Sequence, residues 1–254
     1  KKIARILSTW DKAIELLEKK IAAKEKLKKG LMQQLLTGKK RFKEFGKPAK
    51  DGELPEGWKE VKLGDAFERI TSTAESTVEH VLSITAKKGF VDQRRKFSRL
   101  IAGKQLEKYI ELCRGDFAYN KGNSDAYPMG CIYRLEEFDR GLVPNVYYCF
   151  RNAGRWEIDS EFYKFYFQHG GLNKQLRSKI NAGVRNDGLL NLNSTAFFSV
   201  KLPLPSFNEQ VRISSTLNSI SRYLILLNQR LSLLQDEKKG LMQQLLTGQK
   251  RVKV

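Results

Sequence analysis

Histidine, cysteine and long apolar runs are all scarce in this chain of 254 residues, and each scarcity removes a class of function. His80 and His169 are the only histidines, and neither sits in a recognisable motif, so both read as surface or structural residues and not as an acid–base centre. Cys113, Cys131 and Cys149 are odd in number and have no His or Cys partner at metal-ligand spacing, so they read as buried core thiols. No run of about 18 apolar residues and no signal-peptide core is present, so a soluble, cytoplasmic protein with no membrane partner is expected. A GxxxxGK[ST] phosphate loop, a glycine-rich dinucleotide fingerprint, HExxH and GxSxG are all missing. The acids Glu136, Glu137 and Asp139 read as a solvated loop and not as a nuclease metal site. The chain is therefore expected to be noncatalytic, with no metal and no cofactor of its own.

What is abundant is positive charge, unevenly placed. The formal net charge is +19; residues 1 to 50 carry 16 Lys and Arg against 5 Asp and Glu, while residues 52 to 205 carry 23 against 19. Such a balance draws a protein toward nucleic acid or an acidic surface, without choosing between them.

The other abundant feature is repetition. KKGLMQQLLTG occurs at Lys28 to Gly38 and again at Lys238 to Gly248, 210 positions later. That period is far too long for a solenoid array of roughly 20 to 50 residues, so one element is duplicated around a central domain. In the second copy Ile213, Leu217, Ile220, Leu224, Leu227, Leu231 and Leu234 recur in steps of four and three, the seam of a coiled coil. The first copy matches it through Ile3, Leu7, Trp10, Ile14, Leu17 and Ile21; Lys24 and Lys28 interrupt, and Leu31 and Leu35 resume in phase. Each helix would be roughly 50 Å long at about 1.5 Å per residue, with a bend or break expected at Gly30 and Gly240. Because a compact domain joins the end of one helix to the start of the other, they are expected to pack antiparallel.

Four segments result: a first long helix over 1–43, a linker over 44–53 rich in Gly, Pro and charge, a globular domain over 54–205, and a second long helix over 206–254. Within the domain, 81–85, 116–120, 129–135, 146–151 and 197–205 read as strands, and 161–168 and 172–180 as helices, with Asp159 or Ser160 capping the first. Strands and helices do not alternate regularly. The fold class is therefore α+β, one mixed domain plus two long antiparallel coiled-coil helices.

Three polar groups in the domain suit nucleic acid. The loop Asn120, Lys121, Gly122, Asn123, Ser124, with Tyr127 beyond it, carries side chains able to pair with base edges. Arg185 and Asn186, between Gly183 and Gly188 and after a helix bearing Lys179, form a second candidate. Lys87, Lys88, Arg94 and Arg95 form a third, better suited to phosphate.

The organisation as a whole resembles the specificity subunit of type I restriction-modification systems. The residues that carry the resemblance are Leu54, Pro55, Gly57, Trp58, Leu63 and Gly64 at the domain entrance, GDFAYNK at 115–121, Pro203, Pro205, Glu209, Gln210 and Ile213 at its exit, and the duplicated LMQQLLTG ends. The resemblance implies a target recognition domain that reads one half of a bipartite duplex DNA sequence, and the loops at 120–127 and 183–191 are expected to supply its base contacts. It also implies helices that act as spacer and dock modification (methyltransferase) subunits, which hold S-adenosylmethionine, together with restriction (translocase/nuclease) subunits. The pattern departs in having one recognition domain, placed like the second of two. Lys1 aligns with Val211, so a longer protein is expected, or else a half-subunit that pairs with itself through its helices. A coiled-coil scaffold with a protein-binding domain is the alternative reading.

Overall fold

Two long helices carry the periodic pattern. The computed structural model describes residues 2–50, 53–73, 80–85, 88–94, 103–180 and 188–251. In it α1 (Lys2–Leu35) and, at the other end of the chain, most of a helix over Phe207–Leu246 form one compact unit, Lys1–Gln34 with Ser215–Val254, while Leu35–Ser214, with the first turns of that helix, forms a second.

Along α1 the positions withdrawn from solvent include Ile3, Leu7, Trp10, Ile14, Leu17 and Ile21, and the same line continues through Lys24, Lys28, Leu31 and Leu35. Along the second long helix they are Ile213, Leu217, Ile220, Leu224, Leu227, Leu231 and Leu234, followed by Lys238, Leu241 and Leu245. Lysines thus occupy seam positions on both helices, where an aliphatic stem can cover apolar surface while the ammonium stays wet. Lys238 pairs with Asp11, and the ammonium groups of Lys20 and Lys24 lie 5.5 and 5.9 Å from the Tyr223 ring centre. Low numbers therefore meet high numbers, and the helices are antiparallel. The break expected at Gly30 and Gly240 is absent: both helices run through their glycine. A penalty of about 1 kcal/mol per glycine is small beside the burial that holds the turns on either side.

The chain leaves α1 through Gly38, whose φ of 69° suits glycine, and whose missing Cβ would fall 2.1 Å from the Pro55 ring. A short 3₁₀ turn at Lys43–Phe45 follows, so the first long helix ends earlier than the expected 43.

The domain contains β1 (Lys59–Lys62), α2 (Leu63–Ala66), β2 (Phe67–Ile70), β3 (Leu82–Thr85), β4 (Gly89–Asp92), β5 (Ile110–Cys113), β6 (Phe117–Asn120), β7 (Cys131–Arg134), β8 (Arg140–Val143) and β9 (Tyr148–Asn152). After these come α3 (Ser160–Gln168), α4 (Asn173–Lys179), α5 (Ser194–Phe198), β10 (Lys201–Leu204) and the long helix Phe207–Leu246, α6. The fold is α+β. The central sheet runs β2-β9-β6-β7, all antiparallel, and β1 pairs with β10, β3 with β4, and β5 with β8.

That sheet is buried on both faces, because strand residues alternate sides. Phe67, Phe117 and Phe150 join Tyr163 and Phe167 of α3 in an aromatic cluster, with ring centres 5.3 to 6.1 Å apart for the contacts of Phe67. On the opposite parity Ala118, Cys131 and Cys149 pack with Leu82, Ile84, Phe90, Ile110 and Val143. α3 starts where Asp159 accepts a hydrogen bond from the Glu161 amide at 3.0 Å.

Two sequence expectations need correction. The segment 197–205 is not one strand: Asn193 caps a short helix by accepting from the Ala196 amide at 2.7 Å, and Phe197 is buried against Tyr119 with stacked rings 4.6 Å apart. Only Lys201–Leu204 is extended. Cys113 is exposed at the end of β5, where the alternation turns it outward, so only Cys131 and Cys149 are core thiols. Burial pushes those two up to about 11 and about 12, which keeps them protonated and unreactive.

The entrance and exit residues form a clasp inside the domain. Glu209 accepts from the Arg41 guanidinium at 2.8 and 2.9 Å and from the Trp58 indole N–H at 2.9 Å. Arg41 also donates to the carbonyls of Lys47 and Glu56, at 3.2 and 3.1 Å. Its next neighbour in the exit motif, Gln210, bonds the carbonyls of Glu157 and Pro205 and the amide of Asp159. The LPEGW and NEQ segments, 151 residues apart at Trp58 and Glu209, are thus one buried polar network.

Candidate nucleic-acid interface

β6 delivers the chain into the loop beginning at Asn120, and the structure ties that loop to a segment far away in sequence. Gly122 forms an antiparallel bridge with Leu189, the Asn123 amide donates to the Gly188 carbonyl at 3.3 Å, and the Leu190 amide donates to the Lys121 carbonyl at 3.0 Å. The loop is therefore tied to residues 188–190, the described part of the segment that follows the second polar group. Of the third group, Lys88 is near as well: the Asn120 side-chain amide donates to the Ile84 carbonyl at 3.3 Å, on the hairpin β3–β4 that carries Lys88 in its turn.

The loop is rigid in its hydrogen bonding. Asn120 also accepts from the Gly122 amide at 2.9 Å, and Ser124 and Tyr127 exchange backbone hydrogen bonds at 3.4 and 2.9 Å. Its tip, Asn123 to Ala126, is exposed. This is a frame that holds small polar groups outward from a fixed base, the arrangement that base-edge contact requires.

The candidate residues divide by what their side chains already do. Asn123, Ser124, Lys88 and Arg94 are exposed. Asn120 is bound to backbone, and Tyr127 is half-buried with its hydroxyl 3.3 Å from that of Tyr133. Lys179 donates to Ser199 at 2.9 Å. Lys121 corrects the expectation most clearly: it is buried, its ammonium 4.8 Å from the Tyr148 ring centre and 3.5 Å from the Tyr148 hydroxyl. Lys121 follows directly on β6 on the side of Tyr119, and Tyr148, in register with Tyr119 on the neighbouring strand, provides the ring that covers it. Lys87, Arg95, Arg185 and Asn186 lie outside the described residues.

At the base of the hairpin, Asp92 accepts from the Arg94 amide at 2.8 Å and lies 3.0 Å from His80 Nδ1. Burial alone would raise the Asp92 carboxyl, but these hydrogen bonds outweigh it and hold it below its ordinary range. Asp92 is therefore an anion that anchors the start of the basic segment. Behind the loop tip is a cleft of about 400 Å³ between Tyr127, Met129 and Tyr133 on one side and His169 and Asn173 on the other. It escaped the sequence reading because its two walls are separate segments with no shared motif. Among the described residues no group of three His, Cys, Asp or Glu is placed to hold a metal ion, and no helix is long and apolar enough to cross a membrane.

No family model matches the chain. Over its full length, and at 28% identity across 273 aligned positions, it is similar to the type I restriction enzyme MjaVIII specificity subunit of Methanocaldococcus jannaschii, of which it covers 60%. Its fold is shared with the HsdS subunit from Thermoanaerobacter tengcongensis, with a TM-score of 0.57 at 15% identity over 96% of this chain and 55% of that one. The S subunit of a type I restriction-modification system from M. genitalium gives 0.54 at 17% identity, over 95% and 59%. The resemblance carried by the entrance, exit and helix-end residues thus points to the same proteins as the full-length sequence and the fold. The chain spans about three fifths of the length of the curated relative.

Proposed function

We propose that this chain, like the type I specificity subunits it resembles from end to end, selects a DNA sequence for partner subunits that carry out the chemistry. The observation that supports this best is the pairing of residues 121–123 with the 188–190 segment, beside a hairpin with Lys88 in its turn and Arg94 just past its end. Asn123 and Ser124 would meet base edges, and the exposed cations would meet phosphates. Methyl transfer with S-adenosylmethionine, translocation and cleavage would belong to modification and restriction subunits.

The helix pair offers those subunits a surface. Antiparallel packing of two copies of one sequence implies an approximate twofold axis, which carries Leu16 onto Leu226, 210 positions away, and so places both on one face. Leu16 is 67% exposed and Leu226 61%; Leu233, two turns further along α6, is also 61% exposed. Burying such leucines on a partner helix is worth about 25 cal/mol per Å² of apolar area.

Salt dependence tests the DNA reading. With roughly five phosphates neutralised, affinity for duplex DNA should fall by two to three orders of magnitude between about 50 and 200 mM salt. Fluorescence anisotropy with the chain and its modification subunits measures this. Absence of any salt-dependent binding would remove the DNA reading and leave the protein-binding scaffold.

A further inference from the structure

Beside the backbone pairing of Gly122 with Leu189, the side chains of Lys121 and Tyr148 also link the two sides of the candidate reading surface. Tyr148 lies on β9, in register with Tyr119 of β6. Its hydroxyl donates to the Leu192 carbonyl at 2.6 Å, which fixes the far end of the 188–192 segment. The Lys121 ammonium sits 4.8 Å from the centre of the same ring and 3.5 Å from the same hydroxyl, while the Lys121 carbonyl accepts from Leu190. On the other flank the Arg69 guanidinium lies 5.8 Å from the Tyr148 ring centre and donates to Ser194 at 3.2 Å. One tyrosine therefore contacts the start of one loop through a cation and the end of the other through a hydrogen bond.

We propose that the Lys121–Tyr148 pair is a specificity-positioning device, which sets the register of the 120–124 loop against the 188–192 segment and thereby the sequence read, without itself touching DNA. The proposal rests on the DNA-recognition reading above. The pair is suited to the task because a partly desolvated cation over an aromatic face has a preferred position, whereas a solvated lysine has many. The backbone hydrogen bonds between the segments then transmit that position to Asn123 and Ser124, since the Asn123 amide is bound to Gly188. A displacement of about an ångström at the base is enough to misplace a bidentate contact at the tip.

The test is selection from a randomised duplex library by the chain with its modification subunits, read by sequencing, alongside thermal unfolding and binding to unselected DNA at low salt. Tyr148→Phe keeps the ring and removes the hydroxyl; Lys121→Met keeps the stem and removes the charge; Lys121→Arg restores a cation. Tyr148→Phe and Lys121→Met should each lower the ratio of selected to unselected binding about tenfold or change the enriched sequence, with unselected binding within about twofold of wild type, and Lys121→Arg should recover most of the loss. Val61→Ala, in the separate β1–β10 pair, serves as a destabilised control that should retain the wild-type sequence preference. Enrichment of one unchanged sequence by wild type, Tyr148→Phe and Lys121→Met alike would overturn the positioning role while leaving DNA recognition intact. No enrichment by the wild type would instead sink the recognition reading itself.

Discussion

Leu227→Asp is expected to dissociate the helical unit. Leu227 is 7% exposed at the middle of the seam, so the substitution removes a buried isobutyl group and puts a carboxylate in its place. Loss of a buried leucine side chain costs about 2–5 kcal/mol, and forcing a charge into the site or opening the seam to hydrate it adds to that. With domain stabilities of roughly 5–15 kcal/mol, most of the stability of the helix pair would be gone. Circular dichroism should show a large drop in helix content and a lower Tm. The neighbouring substitution separates packing from docking. Leu226 is 61% exposed, so Leu226→Asp should change stability by no more than about 0.5 kcal/mol yet weaken capture of modification subunits. Equal destabilisation by the two variants would mean that the seam has been assigned to the wrong face.

Glu209→Ala should be the most damaging single change in the domain's polar interior. The side chains of Arg41 and Glu209 are 4% and 1% exposed, and the carboxylate accepts from both Arg41 and Trp58. Removing it leaves a buried guanidinium and a buried indole N–H without that acceptor, at a cost of about 3–5 kcal/mol. Glu209→Gln should cost less, because an amide oxygen can still accept from Trp58. Urea denaturation of the full chain distinguishes the two; a loss below about 1 kcal/mol for Glu209→Ala would show that the clasp does not hold the entrance and exit together. The same network gives a physical reason for the motif residues at Trp58, Glu209 and Gln210, which the sequence presents only as a resemblance.

What could be read in advance depended on how far each signal extends along the chain. The seam was legible because steps of three and four repeat over many turns, and each added turn reinforces the same face. α3 was legible from the five aromatics of EFYKFYFQ and a cap expected at Asp159 or Ser160, and the structure places the cap at Asp159. The strands β1 (KEVK), β2 (FERI), β4 (GFVD) and β8 (RGLV) are as long as β3, β6 and β7, which were read, but their one or two apolar residues stand beside charge or glycine; β5 (IELC) was missed although it alternates. The burial of Lys121 was not legible, because it depends on Tyr148 of a neighbouring strand, and its place in a run of Asn, Gly and Ser made it look like a loop cation. The pairing of Gly122 with Leu189 had no local trace, because it joins segments 67 residues apart through backbone atoms alone. The parts of the candidate site that depend on nonlocal backbone pairing were therefore the parts the sequence concealed.

In the proposed role this chain chooses the DNA sequence on which partner subunits act. That role is tested most directly by mapping methylated bases across the genome of cells carrying the chain with its modification subunits, first as wild type and then with Asn123→Ala and Ser124→Ala combined. The expected result is a motif of two short defined segments separated by an unread gap of constant length, with a change or relaxation in at least one segment in the variant. Methylation that follows the same motif in both cells would contradict it.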